Sequence, residues 1–291
     1  MFSRIIVATD LSPASFAVVN CLGGLRALGA QHCLLLQCLN LREATSTALS
    51  YTTAPLEVFL EQQRRILEKQ GFEVETRIVP GFAKREINRI AAEDNSSLIV
   101  IGSHGHSMVG EVLLGGVAYQ VIHSARKPVL VVRLEKRGEA EDECIRATRC
   151  DFGGHVLFPT DFSANADLAF TYVEKLVSTG VRRVTLLHVL DESGADPAIA
   201  NNSEALAEIH RGRLEQMKSV LGRSGKAGIE VELRHGSPFE QITNLVRERD
   251  VNLVVMGSQG SGFVQEVLLG SVSHNVVRHA DAPVLLIPAR R

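Results

Sequence analysis

The chain contains no Gly-x4-Gly-Lys-Ser/Thr motif, so it lacks the lysine of a P-loop. No Gly-x-Gly-x-x-Gly follows its first apolar strand either, which argues against a dinucleotide site. Its five cysteines, Cys21, Cys33, Cys38, Cys144 and Cys150, are odd in number and form no CxxC pair. They read as reduced thiols. The histidines are scattered without ligand spacing, so no zinc site is expected. No charge of either sign dominates: Lys and Arg total 31 against 33 Asp and Glu, a net of -2. That leaves no electrostatic footprint for nucleic acid and no polybasic membrane patch. No run approaches the ~18 apolar residues of a membrane span. The N-terminal apolar stretch is too short for a signal peptide and runs straight into Asp10. These absences lead to the expectation of a cytoplasmic protein with no nucleic-acid or membrane partner, in which the sequons at Asn95 and Asn201 are idle.

What the chain does have is itself, twice. Residues 97–132, SLIVIGSHGHSMVGEVLLGGVAYQVIHSARKPVLVV, align without a gap to residues 252–287, NLVVMGSQGSGFVQEVLLGSVSHNVVRHADAPVLLI, an offset of 155 (252 against 97). IIVATDLS at 5–12 matches VLFPTDFS at 156–163, and LLQCLN at 35–40 matches LLHVLD at 186–191, both offset by 151. The difference falls between the second and third strands, where a loop absorbs it. At 291 residues, two domains of about 140 are the natural division. The expected boundaries are 1–134 for the first copy, 135–152 for a linker and 153–291 for the second. The charged segment LEKRGEAEDECIRATRC at 134–150 lacks strand patterning and suggests some helix.

Short apolar runs alternate with helical periodicity within each copy. Strands are expected at Ile5–Ala8, Cys33–Cys38, Val74–Val79, Leu98–Ile101 and Val129–Val132, then at His155–Phe158, Arg183–Val189, Ile229–Arg234, Leu253–Met256 and Val284–Ile287. Helical segments include Leu56–Lys69 and Ala205–Leu221. Such alternation predicts an α/β fold: two tandem doubly wound domains, each a parallel sheet with helices on both faces. Near-continuous apolar strands fit a sheet covered on both sides.

Ligands of open α/β sheets bind beyond the C-terminal strand ends. In the second copy Gly257-Ser258-Gln259-Gly260 is followed by nine residues and then Gly270-Ser271. Glycines let a phosphate approach backbone amides, the following helix N-terminus favours an anion, and Ser271 adds a hydroxyl donor. The plainer alternative is that these glycines shape turns and a helix start. The first copy has Gly102-Ser103-His104-Gly105, nine residues, then Gly115-Gly116, and so lacks the hydroxyl. Asp10 and Asp161, each two residues before a Ser, suit helix capping, a ligand contact, or both. Ser12-Pro13 fits an N-cap followed by the first helical position. A carboxylate there would suit ribose hydroxyls or a divalent ion, Mg or Mn, carried with the phosphates. His104-Gly105-His106 reads as an exposed loop pair, and Cys38 as a small core or adenine-facing residue rather than a nucleophile.

PTDFS at 159–163, LLHVLD at 186–191, HGSP at 235–238 and GSQGSGFVQEVLLGSVSHNVV at 257–277 closely resemble the universal stress protein family, in its tandem-domain form. The resemblance spans nearly all of 1–133 and 153–288. It implies five-stranded parallel sheets of order 3-2-1-4-5, with an intramolecular pseudo-dimer formed through Val129–Val132 and Val284–Ile287, and is compatible with a homodimer of whole chains. It also implies that ATP or AMP contacts Pro159, Thr160, Asp161, Val189, Met256, Gly257, Ser258, Gly260, Gly270, Ser271 and Val272. The first-copy counterparts are Ala8, Asp10, Cys38, Ile101, Gly102, Gly105, Gly115, Gly116 and Val117. They depart from the family pattern at Ala8 and Gly116, and Ala83 stands where the second copy has Pro238. Three functions remain open: a stress-response module that binds adenine nucleotide and is read by protein partners, a nucleotide-independent scaffold, and a slow ATP hydrolase. No general base or arginine finger supports the last, whose one acid candidate is Asp161.

Overall fold

A computed structural model describes residues 1–39, 49–105, 114–137, 144–191, 203–260 and 269–289. His106, Asn201 and the spacers 106–113 and 261–268 lie outside the described residues. The chain divides into two compact units, Met1–Cys150 and Asp151–Arg291.

In unit 1 the strands are β1 (Arg4–Thr9), β2 (His32–Leu39), β3 (Glu73–Pro80), β4 (Leu98–Gly102) and β5 (Val129–Val132). They are parallel, in the order β3-β2-β1-β4-β5. Ile5 pairs with Cys33 on one side and Leu98 on the other. Ile5, Ile6, Val7, Leu34, Leu35, Ile99 and Val100 are buried, because helices cover both faces of these strands. The helices α1 (Pro13–Cys21) and α2 (Leu49–Lys69) pack together, as do α3 (Ala83–Glu93) and α4 (Gly116–Ser124). Strand β3 carries Glu73, Glu75 and Arg77, charges that discourage further strand pairing at a sheet margin.

Unit 2 repeats the plan with β8 (His155–Pro159), β9 (Arg183–Leu190), β10 (Gly228–His235), β11 (Leu253–Gly257) and β12 (Val284–Ile287), in the order β10-β9-β8-β11-β12. Its helices are α5 (Ala164–Ser178), α6 (Ser203–Ser224), α7 (Pro238–Glu248) and α8 (Ser271–His279). Every strand expected from sequence is present, several longer by one residue at an end. Helix starts follow capping chemistry: Ser12 accepts from the Ser15 N–H at 3.3 Å with Pro13 next, and Ser163 accepts from the Ala166 N–H at 3.2 Å.

Two expectations are corrected. The linker is not helical where it is described. Leu134–Arg137 (β6) pairs antiparallel with Cys144–Ala147 (β7), a ribbon that packs on α1 and belongs to unit 1. Its charges hid a strand pattern whose apolar members, Leu134 and Ile145, are few. Secondly, Cys21 and Cys150 form a disulfide, leaving Cys33, Cys38 and Cys144 free. Separated by 129 residues in sequence, that pair is brought together only by folding. No helix among the described residues is long and apolar enough to cross a membrane.

Candidate functional site

The turn after the first strand is built identically in both units. Leu11 and Phe162 take left-handed φ values of 60° and 58°, unusual for residues with a Cβ. Two side chains hold each turn. The Thr160 hydroxyl accepts from the Phe162 N–H at 3.0 Å, and Asp161 Oδ1 accepts from the Ser163 N–H at 3.1 Å. In unit 1, Thr9 and Asp10 do the same for Leu11 and Ser12. Strain sustained twice at the carboxyl edge of the sheet is the kind found where a turn has more than a packing role.

The other carboxylate oxygen faces the glycine loop. A Cβ on Gly260 would lie 2.7 Å from Asp161 Oδ2, and one on Gly105 would lie 2.5 Å from Asp10 Oδ2. The aspartate is therefore a turn cap through one oxygen and a wall of the loop through the other. Gly270 closes on the same loop: a Cβ there would sit 3.5 Å from the Gly260 nitrogen and 3.5 Å from the Ser258 carbonyl oxygen. The first turn after β8 and the two ends of the Gly-x2-Gly-x9-Gly-Ser element thus converge. Met256 is buried beneath them, Val189 and Val272 are half-buried, and Ser271 is exposed.

One glycine amide in each loop is already engaged within the protein. The Gly270 N–H is spent on the Ser258 carbonyl at 2.8 Å, and the Gly115 N–H on Ser103 at 2.7 Å. That bond fastens the base of the loop. The donors offered to an anion are instead the first-turn amides of α8, at Ser271, Val272 and Ser273. These precede the helix's first internal bond, from the His274 N–H to the Gly270 carbonyl, and Gly270 supplies no side-chain cap.

Sequence reading missed Asn165. Buried on the first turn of α5, its Oδ1 accepts from the Gln259 N–H at 2.9 Å and its Nδ2 donates to the Ile287 carbonyl at 3.1 Å. It ties the glycine loop to the end of β12. Unit 1 has Ala14 there, and its loop is braced differently: the Leu134 N–H donates to Ser103 Oγ at 3.1 Å, and that hydroxyl meets His104 Nδ1 at 2.9 Å. A polar residue two positions past a helix N-cap gives no sequence signal for such a bridge.

Beside the unit 2 turn, His188 Nδ1 lies 2.7 Å from the Thr160 carbonyl, which can only accept, so Nδ1 carries the proton. His188 lies tilted against the Phe162 ring at 4.6 Å and meets His210 edge-to-face at 4.3 Å, with Arg213 3.9 Å over the Phe162 ring. Burial holds the pKa of His188 below its ordinary value, against the raising effect of the Thr160 bond. Burial likewise depresses His155, His210 and His274. A folded-state pKa below that of the unfolded chain means the unfolded chain binds more protons in that window. The contribution to stability is full above about pH 6.5 and is lost as pH falls towards the folded values. The urea midpoint of unit 2 should therefore drop between pH 7.5 and 5, and His188→Gln should flatten the slope. A midpoint independent of pH would refute this.

Cys38 is unsuited to nucleophilic chemistry, because burial, assisted by Glu86, pushes its thiol up to about 12. Among the described residues no group of three or more His, Cys, Asp or Glu could hold a metal ion. A divalent ion here would depend on ligand phosphates.

A doubly wound domain with a glycine loop facing the first-strand turn, present twice, defines a class of tandem α/β folds. Within it the chain belongs to the Universal stress protein family, whose match covers residues 1–133 and again 154–288. A universal stress protein of Mycolicibacterium smegmatis is 27% identical over 237 residues, 79% of this chain and 76% of its own. Universal stress protein MJ0577 of Methanocaldococcus jannaschii is 28% identical over 151 residues, 45% of this chain and 93% of that protein. The crystal structure of a universal stress protein from Archaeoglobus fulgidus DSM 4304 matches with a TM-score of 0.77 and 25% identity, covering 99% of both chains. The tandem arrangement therefore spans a whole solved relative.

Proposed function

We propose that unit 2 binds an adenine nucleotide, ATP or AMP, and acts as a ligand-responsive regulatory or protective module in a stress response. The observation that carries this reading is the convergence of Asp161, Gly260 and Gly270 at the uncapped start of α8. The phosphates would take the amides of Ser271, Val272 and Ser273 and the Ser271 hydroxyl, a geometry suited to anions. Asp161, exposed at the rim, would face the ribose. Pro159, Val189 and Met256 would line the base, with Thr160, Gly257 and Ser258 shaping the loop by backbone contact. The domain cores that fit this reading are 1–134 and 153–291, with the ribbon between them packed on the first. The resemblance to ATP-binding members of the family supports the choice of adenine. Equilibrium titration of the whole chain with labelled ATP and AMP tests it: saturable binding at micromolar protein is expected, and its absence for both ligands would overturn the proposal.

Unit 1 has the same walls but no hydroxyl at the start of α4. A Cβ on Gly116 would meet nothing within 4 Å, so a serine fits there without displacing a neighbour. Gly116→Ser should raise nucleotide affinity in unit 1 by about tenfold, the worth of one hydrogen bond to a charged group. Titration with the unit 2 site disabled measures it. An unchanged affinity would show that unit 1 serves another purpose.

A further inference from the structure

The ribbon β6–β7 and the residues after it form a strap over unit 1. Leu134, only 2% exposed, donates its N–H to Ser103 Oγ and sets its side chain against Gly102, where a Cβ would lie 3.3 Å from its Cδ1. The Thr148 N–H donates to the Arg133 carbonyl at 2.9 Å and closes the ribbon's base. β7 lies along α1, and the strap ends where Cys150 is joined to Cys21, the last residue of that helix, with Cα atoms 4.9 Å apart. An isolated two-stranded ribbon is marginally stable at best, so the order of this one depends on α1 and on the covalent bond.

The disulfide does not resemble a structural staple. A unit of this length buries a sufficient core without one. Three thiols remain free in the same unit, so the cysteines do not form a framework of pairs. Cys33 and Cys38 are held protonated by burial, at about 12 each. The bonded pair is asymmetric: Cys21 is buried, 2% exposed, while Cys150 is exposed. The more exposed residue of the bonded pair is therefore Cys150, at the C-terminal end of the strap.

We infer that Cys21–Cys150 is a redox clasp that sets the order of the strap and, through Ser103, of the glycine loop in unit 1. A small thiol or dithiol is the reductant. Its thiolate attacks Cys150 Sγ, the S–S bond breaks, and Cys21 leaves as a thiolate and takes up a proton. A second thiol then displaces Cys150 from the mixed disulfide. Two reductant thiols become one disulfide, and the protein gains two S–H groups. With the clasp open the strap frays, the Leu134 N–H leaves Ser103, and the loop that Ser103 fastens to Gly115 loses its brace. Unit 2 braces its loop with Asn165 and has no cysteine, so it is an internal reference.

Hydrogen exchange read by mass spectrometry on the full, ligand-free chain tests the inference without involving nucleotide. Air-oxidised protein, protein reduced with dithiothreitol, and the variants Cys150→Ser and Cys21→Ser are compared. Amides of residues 103–105, 134–137 and 144–148 should exchange about tenfold faster or more in reduced protein, while 257–260 stay unchanged. Cys150→Ser without reductant should match the reduced chain. The inference fails if intact mass shows no bonded pair in the oxidised sample, or if the strap exchanges equally in both states. It also fails if reduction removes protection throughout β1–β5, since the bond would then be a global staple.

Discussion

Gly270→Val should abolish saturable nucleotide binding to unit 2, weakening it by about a hundredfold or more, roughly 3 kcal/mol. The neighbours that a Cβ at 270 would meet at 3.5 Å are the Gln259 Cα, the Gly260 nitrogen and the Ser258 carbonyl oxygen, all backbone. A branched side chain extends beyond the Cβ in two directions and must push one of them aside. The base bond from the Gly270 N–H to Ser258 then lengthens or breaks, and the first-turn amides of α8 no longer face Asp161. Gly260→Ala is milder by the same geometry. Its added Cβ meets the end of one side chain, Asp161, which can rotate away. The ordering is measurable by titrating both variants with labelled ATP: Gly270→Val should lose far more affinity than Gly260→Ala. Near-wild-type affinity in Gly270→Val would place the ligand elsewhere.

Asn165→Ala should be the most destabilising change at the site that leaves the glycines intact. Truncation orphans the Gln259 N–H in the interior of unit 2, while the Ile287 carbonyl loses one of two donors and keeps the Ser258 N–H. Leaving a buried polar group unpaired costs about 1–3 kcal/mol, so a loss within that range is expected, partly offset by relief of crowding. A Cβ on Gly257 would stand 2.8 Å from Asn165 Oδ1, which shows how closely the amide is seated. Calorimetry should show the transition of unit 2 lowered while that of unit 1, which has Ala14 at this position, stays in place. Exchange protection at 257–260 should fall with it. If the melting of unit 2 is unaffected, water or a relaxed loop replaces both bonds.

The repeat and the apolar periodicity made the strands legible. Val254, Val255 and Met256 are buried because helices cover both sheet faces, and such a strand must be apolar at every position. The glycine spacing was equally legible, since a Cβ on Gly257 or Gly260 would lie within 3 Å of a neighbouring side-chain oxygen and Gly270 packs against the loop backbone. The use of the Gly270 amide was not, because a glycine shows that the backbone comes close to something without saying to what. Asn165, His188 and the Cys21–Cys150 pair were illegible for a related reason: their partners are 94, 28 and 129 positions away.

By itself the sequence determined the family, the doubled α/β plan and the positions of the strands in the two parallel sheets, because periodicity and turn chemistry are local and each copy confirms the other. Only the tertiary structure decided which amides remain for a ligand, that Asp161 serves a turn with one oxygen and the loop with the other, and that the charged linker is a strap bonded to α1. Those outcomes depend on which groups compete for the same hydrogen bonds and contacts, and that competition exists only once distant segments have been packed together.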